Sequence, residues 1–172
     1  MSVEALLFDV GGVVIEIDFR SVASWAGAAG TAADALQARF AFDDAYQRHE
    51  RGEIAAGEYF AALRSSLGID LSDAALVTGW NAIYVNEVPG MRALPHTVGQ
   101  RFPIYAFTNS NPTHHAFCRA HCADGFESFS KVFLSFELGL RRENRDETIR
   151  HLHRRQRLQG VAHPREGLSN RS

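Results

Sequence analysis

The chain has 172 residues, with 18 basic against 20 acidic side chains, a net charge of −2 and 45% hydrophobic residues, which is typical of an ordinary soluble globular protein. No run approaches the roughly 18 consecutive apolar residues of a membrane span, and the N-terminus carries Glu4 where a signal peptide would be basic. Two cysteines, Cys118 and Cys122, argue against a disulfide framework. These features predict a cytoplasmic protein with no membrane partner.

The charge is divided unevenly along the chain. Residues 1–138 contain 9 basic and 16 acidic side chains, whereas residues 139–172 contain 9 basic and 4 acidic ones. The arginines of the tail could face nucleic-acid phosphates, but no aromatic residue follows Phe136 to stack on bases. We therefore expect a solvated or disordered basic tail over 143–172 and no nucleic-acid partner.

Three short apolar runs each end at a small polar or acidic residue. They cover residues 5–8, 104–107 and 132–134, and they are followed by Asp9, Thr108 and Ser135. Such runs are typical of buried parallel strands in an open α/β sheet, where ligands bind beyond the carboxyl ends of the strands. The three endings should therefore meet at one site.

The segment between the first two runs has helical patterns. Its predicted helix faces are Val22, Trp25, Ala26 and Ala29; Leu36 and Phe40; Phe60, Leu63 and Leu67; and Leu76, Trp80 and Ile83. Gly30 and Gly68 can end helices, while Thr31 with Asp34, and Ser72, can begin them. No strand pattern stands out here, so we expect a helical bundle inserted over 16–89.

Three groups of residues could carry chemistry. Asp9, before two glycines, suits a carboxylate nucleophile or an ordinary turn cap. The Thr108–Pro112 turn suits an anion site at a helix N-terminus or a simple strand-to-helix connection. His114, Cys118 and Cys122 have the spacing of one helix face, together with His115 and His121. They could bind a soft metal, but core cysteines and surface histidines explain the spacing better.

Taken together, Leu7-Phe8-Asp9-Val10-Gly11-Gly12-Val13-Val14 and Phe107-Thr108-Asn109-Ser110-Asn111 resemble the first two motifs of the haloacid dehalogenase (HAD) superfamily. The segment from Phe42 to Ile54 and Gly79-Trp80-Asn81-Ala82 resemble the helical cap of the branch containing α-D-glucose-1-phosphate phosphatase. The segment from Leu134 to Arg141 resembles the approach to the third motif. The likeness covers about residues 5–142.

The resemblance implies a Rossmann-like core over 1–15 and 90–142 with an inserted helical cap over 16–89. It implies a phosphatase of a small phosphorylated metabolite, such as a sugar phosphate. In that reaction Asp9 would form an aspartyl-phosphate, and Mg²⁺ would be held by Asp9 and the Gly11 carbonyl. Thr108, Asn109 and Arg142 would bind the phosphate, with Arg142 standing where the branch has lysine.

Two further departures bear on activity. Gly11 stands where the commonest first motif has a second, acid-catalytic aspartate. After Arg142 the sequence has no apolar strand ending in aspartates, so the last strands of the core and the fourth motif are missing from the pattern. A reading-frame change or a decayed gene near residue 142 would explain this ending. Two alternatives therefore stay open: a catalytically impaired or inactive truncated protein, and a metal-independent 2-haloacid dehalogenase. The pattern leaves the oligomeric state open.

Overall fold

A computed structural model describes residues 3–22, 43–122 and 126–141. The strands are β1 (Leu6–Asp9), β2 (Ile15–Ile17), β3 (Tyr84–Glu87), β4 (Ile104–Thr108) and β5 (Lys131–Leu134). The helices are α1 (Asp44–Glu50), α2 (Ala56–Leu67), α3 (Asp73–Asn81), α4 (Ala93–Gly99), α5 (Pro112–His121) and α6 (Ser135–Leu138), with a 3-10 turn at Phe19–Val22. The helix faces and caps predicted between Trp25 and Phe40, the third-motif Arg142 and the basic tail lie outside the described residues.

The three apolar runs form one parallel sheet in the order β1-β4-β5. Asp9 is opposite Phe107, and Thr108 is opposite Leu134, so the carboxyl ends of the strands meet at one edge. The predicted α/β class and the convergence of the three endings are confirmed. One detail differs, because the run at β1 is not fully buried: Leu7 is 45% exposed. In the described part of the chain β1 is an edge strand of this sheet.

A second sheet lies where the expectation was purely helical. Strands β2 and β3 pair in antiparallel fashion, and the amide of Val88 donates to the Val14 carbonyl. These strands have only three and four residues, with little apolar alternation to distinguish them from a loop. The prediction of no strand between Glu16 and Pro89 is therefore wrong.

Helices α1–α3, which we call the helical insert, form a packed unit with its own core. As predicted, α2 buries Phe60, Leu63 and Leu67 and ends at Gly68 in the left-handed conformation. The Ser72 side chain accepts the Ala75 amide and begins α3. The buried core is made of Val22, Ile54, Tyr59, Phe60, Leu63, Leu67, Ile69, Leu76, Trp80 and Ile83. A separate cluster, which includes Val10, Ile104 and Ala106, packs on the parallel sheet.

None of the described helices is long and apolar enough to cross a membrane.

Candidate active site

The candidate site lies at the carboxyl edge of the parallel sheet. Asp9 ends β1, Thr108 ends the neighbouring β4, and Ser135 follows β5. Adjacent strands of a sheet are about 4.8 Å apart, so residues at these ends can contact one bound group. Asp9 is half-buried, whereas Thr108 and Ser135 are buried. The edge therefore brings a carboxylate and two hydroxyl side chains together.

The loop after β1 is a tight turn around the Val10 carbonyl. That oxygen accepts the amides of Val14 at 2.8 Å and Ile15 at 3.0 Å. Gly12 has a φ of +74°, which favours glycine. The Asp9 carboxylate accepts the Val10 amide at 2.9 Å, so the turn fixes its orientation.

The loop leaves little space beside Gly11. A Cβ atom placed on Gly11 would lie 2.8 Å from Cδ1 of Ile17, a contact that requires the isoleucine to move. The Ile17 side chain therefore fills the space in which a side chain at position 11 would begin. An acid at this position, as in the commonest form of the motif, requires only that the Cδ1 end of Ile17 turn aside.

The Thr108–Pro112 turn has the geometry of an anion site. Asn111 is the N-cap of α5, accepting the His114 amide at 3.0 Å, and Pro112 is the first helical residue. The positive end of the dipole of α5 at this turn favours a bound anion. The Thr108 hydroxyl donates to the Asn109 carbonyl at 3.2 Å. This is a long hydrogen bond, so a stronger acceptor could replace the carbonyl.

The helical insert contacts this edge through a buried junction. The Ser135 hydroxyl accepts the Ser110 amide at 2.9 Å and lies 2.7 Å from the Glu50 carbonyl. The Glu50 carboxylate forms an ion pair with Arg141, with 2.8 Å between Oε2 and Nε, and both side chains are mostly buried. The end of α1 therefore contacts Ser135, which also binds the Thr108–Pro112 turn, which we call the anion loop.

His114 is a core residue that links α5 to the helical insert. It is 3% exposed, its ring stacks on Trp80 with centroids 4.9 Å apart, and its Nδ1 lies 3.1 Å from Asn81 Oδ1. Burial lowers the pKa of His114 to about 3, with His49 adding to the effect. The expectation of surface histidines is wrong at this position, because α3 covers the start of α5.

The metal hypothesis for α5 gains no support from the geometry. Cys118 is buried and Cys122 is half-buried, and desolvation raises the pKa of both thiols, which keeps them protonated. Within residues 3–22, 43–122 and 126–141, no three His, Cys, Asp or Glu side chains cluster in a way that could hold a metal ion. The cysteines pack in the core, as the alternative to metal binding predicted.

Mg²⁺ takes oxygen ligands and is commonly bound through one or two carboxylates, with waters and substrate phosphate completing the shell. The Asp9 carboxylate and the Gly11 carbonyl are donors of that type, separated by a single residue in a tight turn. The described part of the site thus fits Mg²⁺ with a single carboxylate, the smallest number that such sites use.

Four of the predicted site residues lie at this edge: Asp9 and Thr108 end strands, and Gly11 and Asn109 lie in the loops that follow them. The fifth, Arg142, lies outside the described residues. Sequence reasoning did not single out Glu50, Arg141 or the linking role of Ser135. An acid next to Arg51-Gly52 and a serine after a strand are too common in proteins to signal such a junction.

Comparisons with known proteins agree with this architecture. No protein-family model matches the chain. The sequence is 26% identical over 148 residues to D-ribitol-5-phosphate phosphatase of Bacteroides thetaiotaomicron, covering 80% of this chain and 69% of that relative.

Two solved structures illustrate the fold. A HAD family enzyme of B. thetaiotaomicron, crystallised with magnesium and inorganic phosphate, superposes with a TM-score of 0.74 at 20% identity, covering 90% of this chain and 80% of its own. L-2-haloacid dehalogenase of Xanthobacter autotrophicus, with chloropropionic acid covalently bound, gives 0.60 at 16% identity, covering 94% and 66%.

These similarities define the protein as an α/β protein with a parallel sheet and an inserted set of helices. Its fold is that of the HAD superfamily, as the motifs around Asp9 and Thr108 led us to expect. The narrower resemblance to the α-D-glucose-1-phosphate phosphatase branch is not confirmed and stays a prediction.

Proposed function

We propose that the chain is a Mg²⁺-dependent phosphatase of small phosphorylated metabolites that uses Asp9 as its nucleophile. The observation that carries this proposal is the placement of Asp9 beside the anion-favouring Thr108–Pro112 turn at one sheet edge. The similarity to a D-ribitol-5-phosphate phosphatase supports the same class of reaction. A sugar or polyol phosphate is the substrate class that we favour, with α-D-glucose 1-phosphate and D-ribitol 5-phosphate as candidates.

The proposed mechanism has two displacement steps. An oxygen of the Asp9 carboxylate attacks phosphorus while the bond to the substrate oxygen breaks, leaving an aspartyl-phosphate and an alcohol that takes up a proton. Water then attacks phosphorus and frees the carboxylate and inorganic phosphate. Bound Mg²⁺, held by Asp9 and the Gly11 carbonyl, would neutralise phosphate charge in both steps.

The residues of the second loop have binding roles. Thr108 and Asn109 hold phosphate oxygens, and the positive end of the α5 dipole adds partial positive charge where the transition state spreads negative charge. Arg142 is assigned to the phosphate as well, although a planar guanidinium cannot match the point charge of a lysine. Because position 11 is glycine, protonation of the leaving group by a side chain at that position is absent.

The segment between about residues 16 and 89, which contains the helical insert, is proposed to act as the cap that excludes water from the reacting groups. The core would then consist of 1–15 and 90–142, with the basic tail over 143–172. A cytoplasmic location accords with small metabolites as substrates.

A dehalogenase function is the second candidate, because L-2-haloacid dehalogenase shares the fold. In that reaction the Asp9 carboxylate would displace a halide from carbon, and water would hydrolyse the resulting ester. Metal dependence separates the two candidates, since carbon–halogen displacement by a carboxylate needs no cation to offset phosphate charge.

The test is release of phosphate from D-ribitol 5-phosphate, α-D-glucose 1-phosphate and p-nitrophenyl phosphate, with Mg²⁺ or with EDTA. We expect turnover that requires Mg²⁺ and is lost in Asp9→Ala. Asp70→Ala is the matched control, because Asp70 is an exposed acid in the connection between α2 and α3. Halide release from 2-chloropropionate in EDTA would favour the dehalogenase instead. Equal, background rates for all proteins would mean that this chain is inactive.

A further inference from the structure

One buried hydroxyl joins three separate parts of the chain. Ser135 is fully buried, and its Oγ accepts the amide hydrogen of Ser110, 25 residues earlier, at 2.9 Å. The same Oγ lies 2.7 Å from the Glu50 carbonyl and 3.0 Å from the Ser110 carbonyl. A hydroxyl has one proton to donate, and the shorter distance favours Glu50 as its acceptor. Ser135 thus connects the helical insert with the anion loop.

An ion pair fixes the position of Glu50. Its carboxylate is paired with Arg141 at 2.8 Å, and the Arg141 guanidinium lies 5.7 Å from the centre of the Tyr46 ring. The side chains of Glu50 and Arg141 are only 4% and 17% exposed, so water screens the pair poorly. The last turn of α1 is therefore fixed to the segment that follows α6.

The turn after α1 also lies directly against the backbone at the start of α6. A Cβ atom on Gly52 would lie 2.4 Å from the Phe136 carbonyl oxygen, one residue after Ser135. The turn after α1 therefore approaches the start of α6 as closely as a glycine allows. A movement of the helical insert away from this contact would also separate the Glu50 carbonyl from Ser135.

We propose that Ser135 is a positioning residue that couples docking of the helical insert to the geometry of the anion loop. When the insert is docked, the Ser135 hydroxyl is oriented by Glu50 and accepts the Ser110 amide, which fixes the loop after Thr108. When the insert moves away, that orientation is lost and the loop loosens, so phosphate binding weakens. The inference rests on the proposed function for its biological meaning.

The experiment combines amide hydrogen exchange at Ser110 with calorimetric binding of inorganic phosphate in the presence of Mg²⁺. We expect Ser135→Ala to exchange the Ser110 amide about tenfold faster and to bind phosphate about tenfold more weakly, as the loss of one buried hydrogen-bond partner implies. Ser135→Thr keeps the hydroxyl and should recover much of both effects. Ser66→Ala is the matched control, because the Ser66 hydroxyl donates only to Leu63 on α2.

A second variant keeps the proposal testable if Ser135→Ala does not fold. Arg141→Gln removes the charge that pairs with Glu50 and leaves both partners of the Ser110–Ser135 hydrogen bond unchanged. Coupling predicts faster Ser110 exchange in Arg141→Gln as well. An unchanged Ser110 exchange rate in Arg141→Gln would overturn the proposal.

Neither readout requires turnover, so the two proposals can fail separately. A wild-type chain that binds phosphate but releases none from any ester would contradict the proposed function. If the Ser110 responses to Ser135→Ala and Arg141→Gln were present in that same chain, the coupling would stand.

Discussion

Gly52 gives the sharpest test of how the helical insert docks on the sheet. It has a φ of +71°, and a Cβ atom there would lie 2.4 Å from the Phe136 carbonyl oxygen and 3.2 Å from its carbon. Gly68 has nearly the same backbone, with a φ of +67°, but a Cβ there meets nothing within 4 Å. Alanine at either position therefore carries the same conformational penalty, but only at Gly52 does its Cβ atom meet another residue.

The conformational penalty and the steric cost of each substitution can be assigned separately. At Gly68, replacement by alanine should cost about 1–2 kcal/mol, the penalty of the left-handed conformation for an L residue. At Gly52 the same penalty applies, and the Phe136 carbonyl must move away because it is backbone and cannot rotate aside. Such an overpacked contact costs about 1–3 kcal/mol, so we expect the loss in Gly52→Ala to exceed that in Gly68→Ala by about this amount.

Urea unfolding measures the difference, with the two variants and the wild type compared at equal slope. Gly57→Ala serves as an internal reference, because Gly57 lies in α2 with open space around it and alanine should stabilise a helix by about 0.5–1 kcal/mol. Equal losses in Gly52→Ala and Gly68→Ala would refute the close contact between the insert and the segment after β5.

Three other predictions follow from the described contacts. Ser72→Ala removes the side chain that accepts the Ala75 amide, so it should lower the free energy of unfolding by about 1 kcal/mol in the same urea assay. His114 titrates near 6.5 in the unfolded chain but has a folded pKa of about 3, so stability should fall by up to ~1.4 kcal/mol per unit as pH drops below 6.5, and His114→Phe should flatten this dependence. Gly11→Asp should cost little stability in the urea assay, because only the Cδ1 end of the flexible Ile17 side chain has to turn aside, and a double-mutant cycle with Ile17→Ala should show a small coupling.

The strand ends and helix boundaries were predictable because local chemistry specifies them. Asn before Pro is a common start of a helix, and the structure begins α5 there, directly after the strand that ends at Thr108. The Gly68 terminus and the Ser72 cap follow for the same reason. Asp9 could be placed at the sheet edge because the apolar run before it could only end there.

The junction and the buried histidine could not be predicted, because they depend on contacts between distant segments. Ser135 meets Glu50 across 85 residues, and nothing in either local sequence encodes that distance. His114 carries a polar ring that single-sequence reasoning assigns to the surface, yet Trp80 and Asn81 from the helical insert cover it. The β2–β3 pair was missed because each strand is too short to show a period.

The central claim is that Asp9 becomes phosphorylated during turnover. The most direct measurement is to mix the protein with excess phosphate ester and Mg²⁺, quench in acid, and reduce with borohydride, which converts an acyl phosphate on aspartate to homoserine. Mass spectrometry of the peptide containing residues 3–20 should then find homoserine at position 9 only when substrate and Mg²⁺ are both present. Phosphate release with an unmodified Asp9 at every quench time would contradict the nucleophilic role.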